Sequence, residues 1–447
     1  MTLIDLTVPS LRQRSLDTLP VAIIGAGPIG LAAAANLVER GIDFVIYESG
    51  DAVGSSMRQW GHTRLFSPWK HVVDPASQRL LEAAGWQLPS PERLPTGTEL
   101  VEQYLEPLAQ LEPIASRIRT RVAIEAVTRQ GMDRTRTARR AETPFLLRAR
   151  TDDGLEEFTA RAVIDASGTY ERPNSLASSG LEPLGLGEVA DRVSHALPDV
   201  LGRDRLTFAG RHTTVVGAGH SAANTLIALA ELAEQEPGTR VTWLIRNAIA
   251  ARVTTSDDDE LAARATIGRR VDELVASGRI TLVDRFEIVR LGRTDEGVRL
   301  IGARNGELVE HDTEVIVNAT GFRPNLDMLR EIRLELDEIV EAPKHLAPLI
   351  DPNVHSCGTV EPHGFAELQH PEPGFFLAGM KSYGRAPTFL LATGYEQVRS
   401  ITAWLAGDVA AASQVELVLP ATGVCSTSLA ADGSSCGPDD QGASSCC

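Results

Sequence analysis

Two stretches of this chain follow one plan, and that plan leaves little freedom in what the chain can fold into. "VAIIGAGPIGLAAAANL" (21–37) and "TTVVGAGHSAANTLIALAEL" (213–232) each run a short apolar segment into a Gly-x-Gly turn and then into an alanine-rich apolar segment. A buried strand followed by a glycine turn and a helix has this pattern. Each copy is followed by a second short apolar run, "IDFVIYE" (42–48) and "RVTWLIR" (240–246). Strand, Gly-x-Gly, helix, strand is the phosphate-binding half of an α/β dinucleotide fold.

In the first copy the glycines have separable duties. Gly25 makes the tight turn, Gly27 lets the backbone approach a pyrophosphate, and Gly30 lets helix and strand pack closely. Pro28 stands where a helix would begin, a position that tolerates its missing N–H. The helix N-terminus then turns unpaired N–H groups and a positive dipole end toward the phosphates. Glu48 closes the next strand, where an acid can accept from ribose hydroxyls. In the second copy Gly217 and Gly219 remain, Ala222 takes the third glycine's place, and Ser221 lies at the helix start. The strand after it ends in Arg246 rather than an acid. A guanidinium can form a forked pair with a 2′-phosphate, so this copy is expected to prefer NADPH to NADH.

The repetition extends further. "VIDASG" (163–168) and "VNATG" (317–321) end strands late in each copy, with Gly168 and Gly321 at the turns. "GFFLAG" reads as a strand ending at Gly379, and Thr388 stands at the start of a helix over about 388–406. Residues 97–110 are expected to be helical, and 121–164 to form a meander of strands. The expected organisation is α/β, with two Rossmann-like dinucleotide-binding domains. Residues 1–204 form the first part of a discontinuous domain, 205–321 an inserted second domain, 322–410 the return to the first, and 411–447 a disordered tail.

Charge and composition close off other classes. A net charge of −17 opposes nucleic acid or an anionic membrane as the main partner. The arginines at 129, 134, 136, 139 and 140 lie in a polar stretch without interleaved aromatics and read as a solvated hairpin loop. The apolar run at 21–37 is interrupted by glycines and lacks a cleavage site, so it is not an export signal, and a cytoplasmic location is expected. "LPATG" (419–423) matches a sortase pattern, but no hydrophobic span or basic stop follows it.

The paired fingerprints resemble the flavoproteins with two dinucleotide-binding domains, which include thioredoxin, glutathione and mercuric reductases and flavin-containing monooxygenases. The resemblance spans roughly residues 20–410. It implies FAD at Gly25, Gly27, Gly30 and Glu48, and NADPH at Gly217, Gly219, Ser221 and Arg246. Met380 stands where many relatives carry Asp after the glycine. Reductases of this kind hold a Cys pair close to the flavin, and no cysteine precedes Cys357 here. "SGTYERPN" (167–174) and "ATGFRPN" (319–325) look like monooxygenase loops. The main flavin-containing monooxygenase hallmark, aligned on His195, meets Val189 and Asp191 in place of Phe and Gly. A closer resemblance, carried by "SSMRQWGHTRLFSPW" (55–69), "HSCGTVEPHG" (355–364), "GMKSYGRAPTFLLATGYEQVR" (379–399) and the cysteine-bearing tail, is to bacterial flavoprotein monooxygenases of arsenic-resistance operons. It implies oxidation of trivalent arsenic, inorganic or methylated. Trp60 and Ser67 are candidate flavin contacts, and Arg64 and His195 are the candidate catalytic residues.

Four of the chain's five cysteines, Cys425, Cys436, Cys446 and Cys447, fall at its end. Their spacing does not suit structural zinc, which prefers closely spaced Cys pairs. Thiolates suit soft ions such as arsenic(III) and mercury(II), so a mobile chelating arm is expected. His355, Cys357 and His363 gather in one turn-rich segment, but without a fourth ligand and at loose spacing they read as a buried Cys between polar turns rather than a metal site. The expected activity is an NADPH- and FAD-dependent monooxygenase with a small-molecule or metalloid substrate. Two alternatives stand beside it: an oxygen-independent reductase using the tail dithiol, and a flavin-bearing redox sensor or metal-binding protein. A homodimer is possible.

Overall fold

The computed structural model describes residues 16–248, 262–351, 362–386 and 389–417. Each copy of the plan builds a five-stranded parallel sheet and a three-stranded antiparallel meander. The first parallel sheet contains β1 (Val21–Ile24), β2 (Phe44–Tyr47), β3 (Ile118–Arg119), β7 (Ala162–Asp165) and β16 (Phe375–Leu377), in the spatial order β16-β7-β1-β2-β3. Its meander, β4 (Ala123–Arg129), β5 (Phe145–Thr151) and β6 (Gly154–Ala160), lies between β3 and β7 in the chain. The second sheet contains β8 (Val193–Ser194), β9 (His212–Val216), β10 (Arg240–Leu244), β11 (Thr281–Val283) and β15 (Val315–Asn318), in the order β11-β10-β9-β15-β8. Its meander is β12 (Phe286–Arg293), β13 (Val298–Arg304) and β14 (Glu307–Thr313). Both meanders carry a register shift in their first pair, at Ile124/Ala126 and at Ile288/Arg290.

The central strands of a parallel sheet are covered on both faces, so they read as unbroken apolar runs. Val21, Ala22, Ile23 and Ile24 are all buried. Helix α1 (Pro28–Glu39) is buried along Ile29–Leu37, and its alanines allow close packing against helix α4 (Leu391–Leu405). In the second unit α2 (His220–Gln235) and α3 (Ala262–Ala276) pack together beside the sheet.

The chain crosses between the units where two segments run antiparallel. Pro173 bridges Phe322, Asn174 N donates to Gly321 O at 2.9 Å, and Arg323 N donates to Arg172 O at 2.9 Å. β8, which precedes the expected boundary at residue 204, pairs with β15 in the second sheet. Residues 97–110 are helical throughout, with a π-helical turn at Val101–Leu105.

The arginine loop differs from expectation. Arg129 and Arg140 are buried on either side of the buried Glu372, with nitrogen–oxygen distances of 2.7 and 2.8 Å. Arg129 also donates to Thr143 O, and Arg140 to Glu331 O. The charge run therefore ties the first meander to the returning segment, while Arg134, Arg136 and Arg139 stay exposed. Sequence spacing could not reveal a partner 243 residues away from Arg129.

Candidate functional site

The first glycine turn has the three geometries its sequence requires. Gly25 adopts φ +98°, and a Cβ there would lie 2.9 Å from Ala166 O. A Cβ on Gly30 would lie 1.9 Å from Gly25 O, which is the close helix–strand approach. Gly27 has no atom within 4 Å of its Cβ direction, so open space lies beside the backbone at the start of α1. Pro28 opens that helix, and no side chain caps it. The Glu48 carboxylate holds the turn in shape. It accepts from Ala26 N at 2.7 Å and Gly50 N at 2.8 Å, and its remaining lone pairs can serve a ribose.

The second turn repeats this. Gly217 has φ +134°, with a would-be Cβ 2.1 Å from Ala319 O, and Gly219 again faces open space. Trp243 Nε1 donates to Gly217 O at 2.7 Å and fixes the turn to β10. Ser221 is half-buried in the first turn of α2, which also lacks a side-chain cap. Arg246 is exposed just beyond the end of β10. Two uncapped helix ends with open space at their middle glycines fit two pyrophosphates.

The strand-end glycines join these cradles. Gly168 (φ +71°) also has open space beside it, after β7. Gly379 (φ +68°) packs against Ile29 of α1, and its N–H donates to Gln397 Oε1 at 2.8 Å. Gly321 (φ +99°) sits at the crossing, where Thr320 Oγ1 and Asn318 Nδ2 both donate to Asn174 O.

A buried ion pair links β7 to the turn after β16. Lys381 Nζ lies 2.6 Å from Asp165 Oδ2 and 3.0 Å from Ser167 Oγ, and both charged side chains are wholly enclosed. Ser167 Oγ in turn donates to Asp165 Oδ1 at 2.7 Å. The group pins the "DASG" turn to the "GMKSYG" turn, and the lone lysine within that second motif was its only sequence signal. Gln397 forms another such centre. Its Nε2 contacts Ser382 Oγ and His363 Nε2, each at 2.9 Å.

Of the two candidate catalytic residues, His195 lies in the aromatic cluster at the crossing. Its ring is 4.5 Å from that of Tyr170 and 5.6 Å from that of Phe322. Its Nε2 is 3.2 Å from Tyr170 O and its Nδ1 is 3.3 Å from Ala196 O. Burial pushes the Tyr170 phenol up to about 12, so it remains protonated at neutral pH. Arg64 is exposed, and its Nη1 donates to Leu94 O at 2.6 Å, which engages it in loop structure. Trp60 packs against Gly97, and Ser67 is half-buried beside Phe66. The Phe66 ring lies 5.8 Å from that of His220, bringing the loop after the first cradle against the second.

Thr388, His355, Cys357 and the four tail cysteines lie outside the described residues. Among the described residues no group of three or more His, Cys, Asp or Glu side chains could hold a metal, and no helix is long and apolar enough to cross a membrane.

Residues 22–356 match the family model described as pyridine nucleotide-disulphide oxidoreductase. The chain is similar to a ferredoxin–NADP reductase of Rhodospirillum rubrum, with 24% identity over 76% of this chain and 83% of that one. It is also similar to the Arabidopsis thaliana flavin-containing monooxygenase FMO GS-OX-like 2, with 22% identity over 81% of this chain and 74% of the other. Among solved structures, the bacillithiol disulfide reductase of Bacillus cereus superposes with a TM-score of 0.63 at 21% identity, covering 87% of this chain and 99% of that one. The FAD-bound cadaverine monooxygenase of Erwinia amylovora gives 0.60 at 14% identity, covering 90% and 99%. These structures share the fold.

Proposed function

Because the chain belongs to the pyridine nucleotide-disulphide oxidoreductase family and uses FAD and NADP(H), we propose that it is an NADPH-dependent monooxygenase of a soft nucleophile, trivalent arsenic first. The observation that carries this reading is the placement of cysteine. Residues 22–356, the whole family match, contain none. A dithiol relay in that region is therefore impossible, and electrons leave for O₂, for an outside acceptor or for cysteines beyond residue 356. Similarity to a flavin-containing monooxygenase and to the indole-3-pyruvate monooxygenases of plants supports the oxygen-linked choice.

When bound, FAD supplies a hydride acceptor and a relay for two electrons to O₂. The protein's own part is positioning. The α1 N-terminus and Gly27 seat one pyrophosphate, Glu48 is placed for the ribose, and Gly219 with α2 seats the other dinucleotide. Arg246 is exposed where it can pair with a 2′-phosphate. His195, Tyr170 and Phe322 pack as an aromatic cluster that holds the crossing together. The overall change balances: NADPH, a proton, O₂ and arsenous acid become NADP⁺, water and arsenic acid. Two electrons come from NADPH and two from arsenic, whose lone pair takes up one oxygen atom.

In the same reading, the thiolates of Cys425, Cys436, Cys446 and Cys447 capture the thiophilic substrate. The test is NADPH oxidation with arsenite, methylarsenite, mercury(II) and small disulfides, with and without O₂. Stimulation by a trivalent arsenical that vanishes without O₂ is expected. Turnover indifferent to O₂ contradicts the proposal and favours a reductase working through the Cys446–Cys447 dithiol. Truncation after Thr422 is expected to weaken arsenical affinity while FAD binding persists.

A further inference from the structure

We infer that the substrate of this proposed monooxygenase occupies a polar cavity of about 320 Å³ between the two units, and that the cavity selects a small uncharged hydroxylated molecule. The inference rests on the reading above for the reaction, and on the cavity for the site. Its walls come from both halves of the chain. Gln59 and Tyr170 belong to the first unit, and Ser194, His195, Arg203 and Asp204 to the second.

Placement is the first argument. Tyr170 follows the carboxyl end of β7, and Ser194 is the last residue of β8. Ligands of open parallel sheets bind outside the carboxyl ends of the strands, and here the ends of two such sheets share one cavity. The antiparallel crossing at Pro173 and Phe322 lies beside it, since Tyr170 and His195 both pack on Phe322.

The second argument is the weak engagement of the hydroxyl, imidazole and guanidinium groups on the wall. Tyr170 Oη donates to Ala196 O at 3.4 Å, and Ser194 Oγ to His195 O at 3.3 Å. The Arg203 side chain reaches Gln59 O and Asp204 Oδ1 only at 3.4 Å each. The two His195 contacts are 3.2 and 3.3 Å, against a usual N–H···O length near 2.9 Å. Asp204 differs, because its Oδ2 accepts from Asp199 N at 2.8 Å and is held in the loop. Tyr170, Ser194 and His195 are half-buried and Arg203 is exposed, so solvent completes these contacts and a ligand can replace it. Several long bonds around one space leave donors and acceptors available to a ligand that offers better geometry.

Backbone strain marks the same place. Leu197, a branched residue on the cavity wall, is held at φ +58°. Left-handed backbone at a non-glycine residue persists when the surroundings enforce it, and it gathers at ligand sites.

The lining also defines the ligand class. Arg203 and Asp204 set opposite charges side by side, so the wall carries no net charge to favour an ionic ligand. Guanidinium, hydroxyl, amide and imidazole groups suit a molecule that both donates and accepts without net charge. The volume lies at the small end of ligand pockets, which run about 300–1,000 Å³. Arsenous acid and methylarsenous acid are neutral hydroxylated molecules at pH 7 and satisfy these requirements.

Thr207 lies exposed on the cavity rim, so Thr207→Trp fills the space without burying a new group in the core. The probe is methylarsenite, added to the FAD-loaded full chain carrying serine at the four tail cysteines, with and without Thr207→Trp. The expected result is at least a tenfold loss of methylarsenite binding by equilibrium dialysis. A tenfold rise in its KM is expected with it, while the KM for NADPH and the FAD content hold. Arg203→Met, an exposed change, is expected to move the same constants in the same direction. If methylarsenite binds with Thr207 intact, is lost in the Thr207→Trp chain, and never stimulates NADPH oxidation, the cavity stands and the monooxygenase reading falls. Binding unaffected by filling, no binding in either chain, or a shift in the KM for NADPH instead would each overturn the inference.

Discussion

Lys381 Nζ lies 2.6 Å from Asp165 Oδ2, and neither side chain is reached by solvent. The pair joins the carboxyl end of β7 to the turn after β16, so a single contact fixes two of the loops that face the first cradle. Removing one partner of an enclosed pair leaves an uncompensated charge, which costs about 3–5 kcal/mol. Lys381→Met is therefore expected to lower unfolding stability by about that amount, measured by denaturant titration of the FAD-loaded protein. The double variant Asp165→Asn with Lys381→Met is expected to recover most of the loss, because no lone charge remains.

The glycines of one turn are expected to separate folding from cofactor binding. A Cβ on Gly30 collides with Gly25 O at 1.9 Å, whereas a Cβ on Gly27 meets nothing within 4 Å. Gly30→Ala is expected to impair folding itself. Gly27→Ala is expected to fold with wild-type circular dichroism and to lose bound FAD, because the new methyl occupies phosphate space. Gly219→Ala is expected to retain FAD and raise the KM for NADPH. Flavin absorbance per chain and NADPH kinetics read all three.

Much of this arrangement was legible in the sequence because it depends on local rules. Each glycine turn requires its φ or its close approach, and buried parallel strands require unbroken apolar runs. What was missed depends on distant pairing. Arg129 and Arg140 read as a solvated loop until Glu372 is brought between them. Lys381 and Gln397 gave no periodic signal, since their importance lies in partners on other elements. Strand β14, "ELVEHDT", escaped notice because six of its seven residues face water at least in part and show no apolar alternation. The pairing of β8 with β15 was not legible because β8 is two residues long.

Stability is expected to carry a pH signature from Asp74, which caps the helix Pro75–Ala83 through Ser77 N and is fully buried. Burial raises its carboxyl from 3.8 to about 6. Between those values the folded chain binds more protons than the unfolded chain, so stability falls as pH rises through this window. The contribution is complete below pH 4 and gone above about 6, and two units amount to about 3 kcal/mol. Asp74→Asn keeps an acceptor for the cap. It is expected to abolish the slope and raise the melting temperature at pH 7, measured by calorimetry from pH 4 to 8.

Nucleotide choice is expected to reside in Arg246, exposed just beyond β10. Arg246→Gln should raise the KM for NADPH about tenfold and leave that for NADH within about twofold, because only the former has a 2′-phosphate to lose. Equal effects on both nucleotides would place the 2′-phosphate elsewhere.

The central claim is that one atom of O₂ ends on the substrate. Turnover of methylarsenite with NADPH under ¹⁸O₂, followed by mass spectrometry of the pentavalent product, reads this directly. One ¹⁸O atom per product molecule is the predicted result. Product bearing only solvent oxygen, formed equally well without O₂, would contradict it.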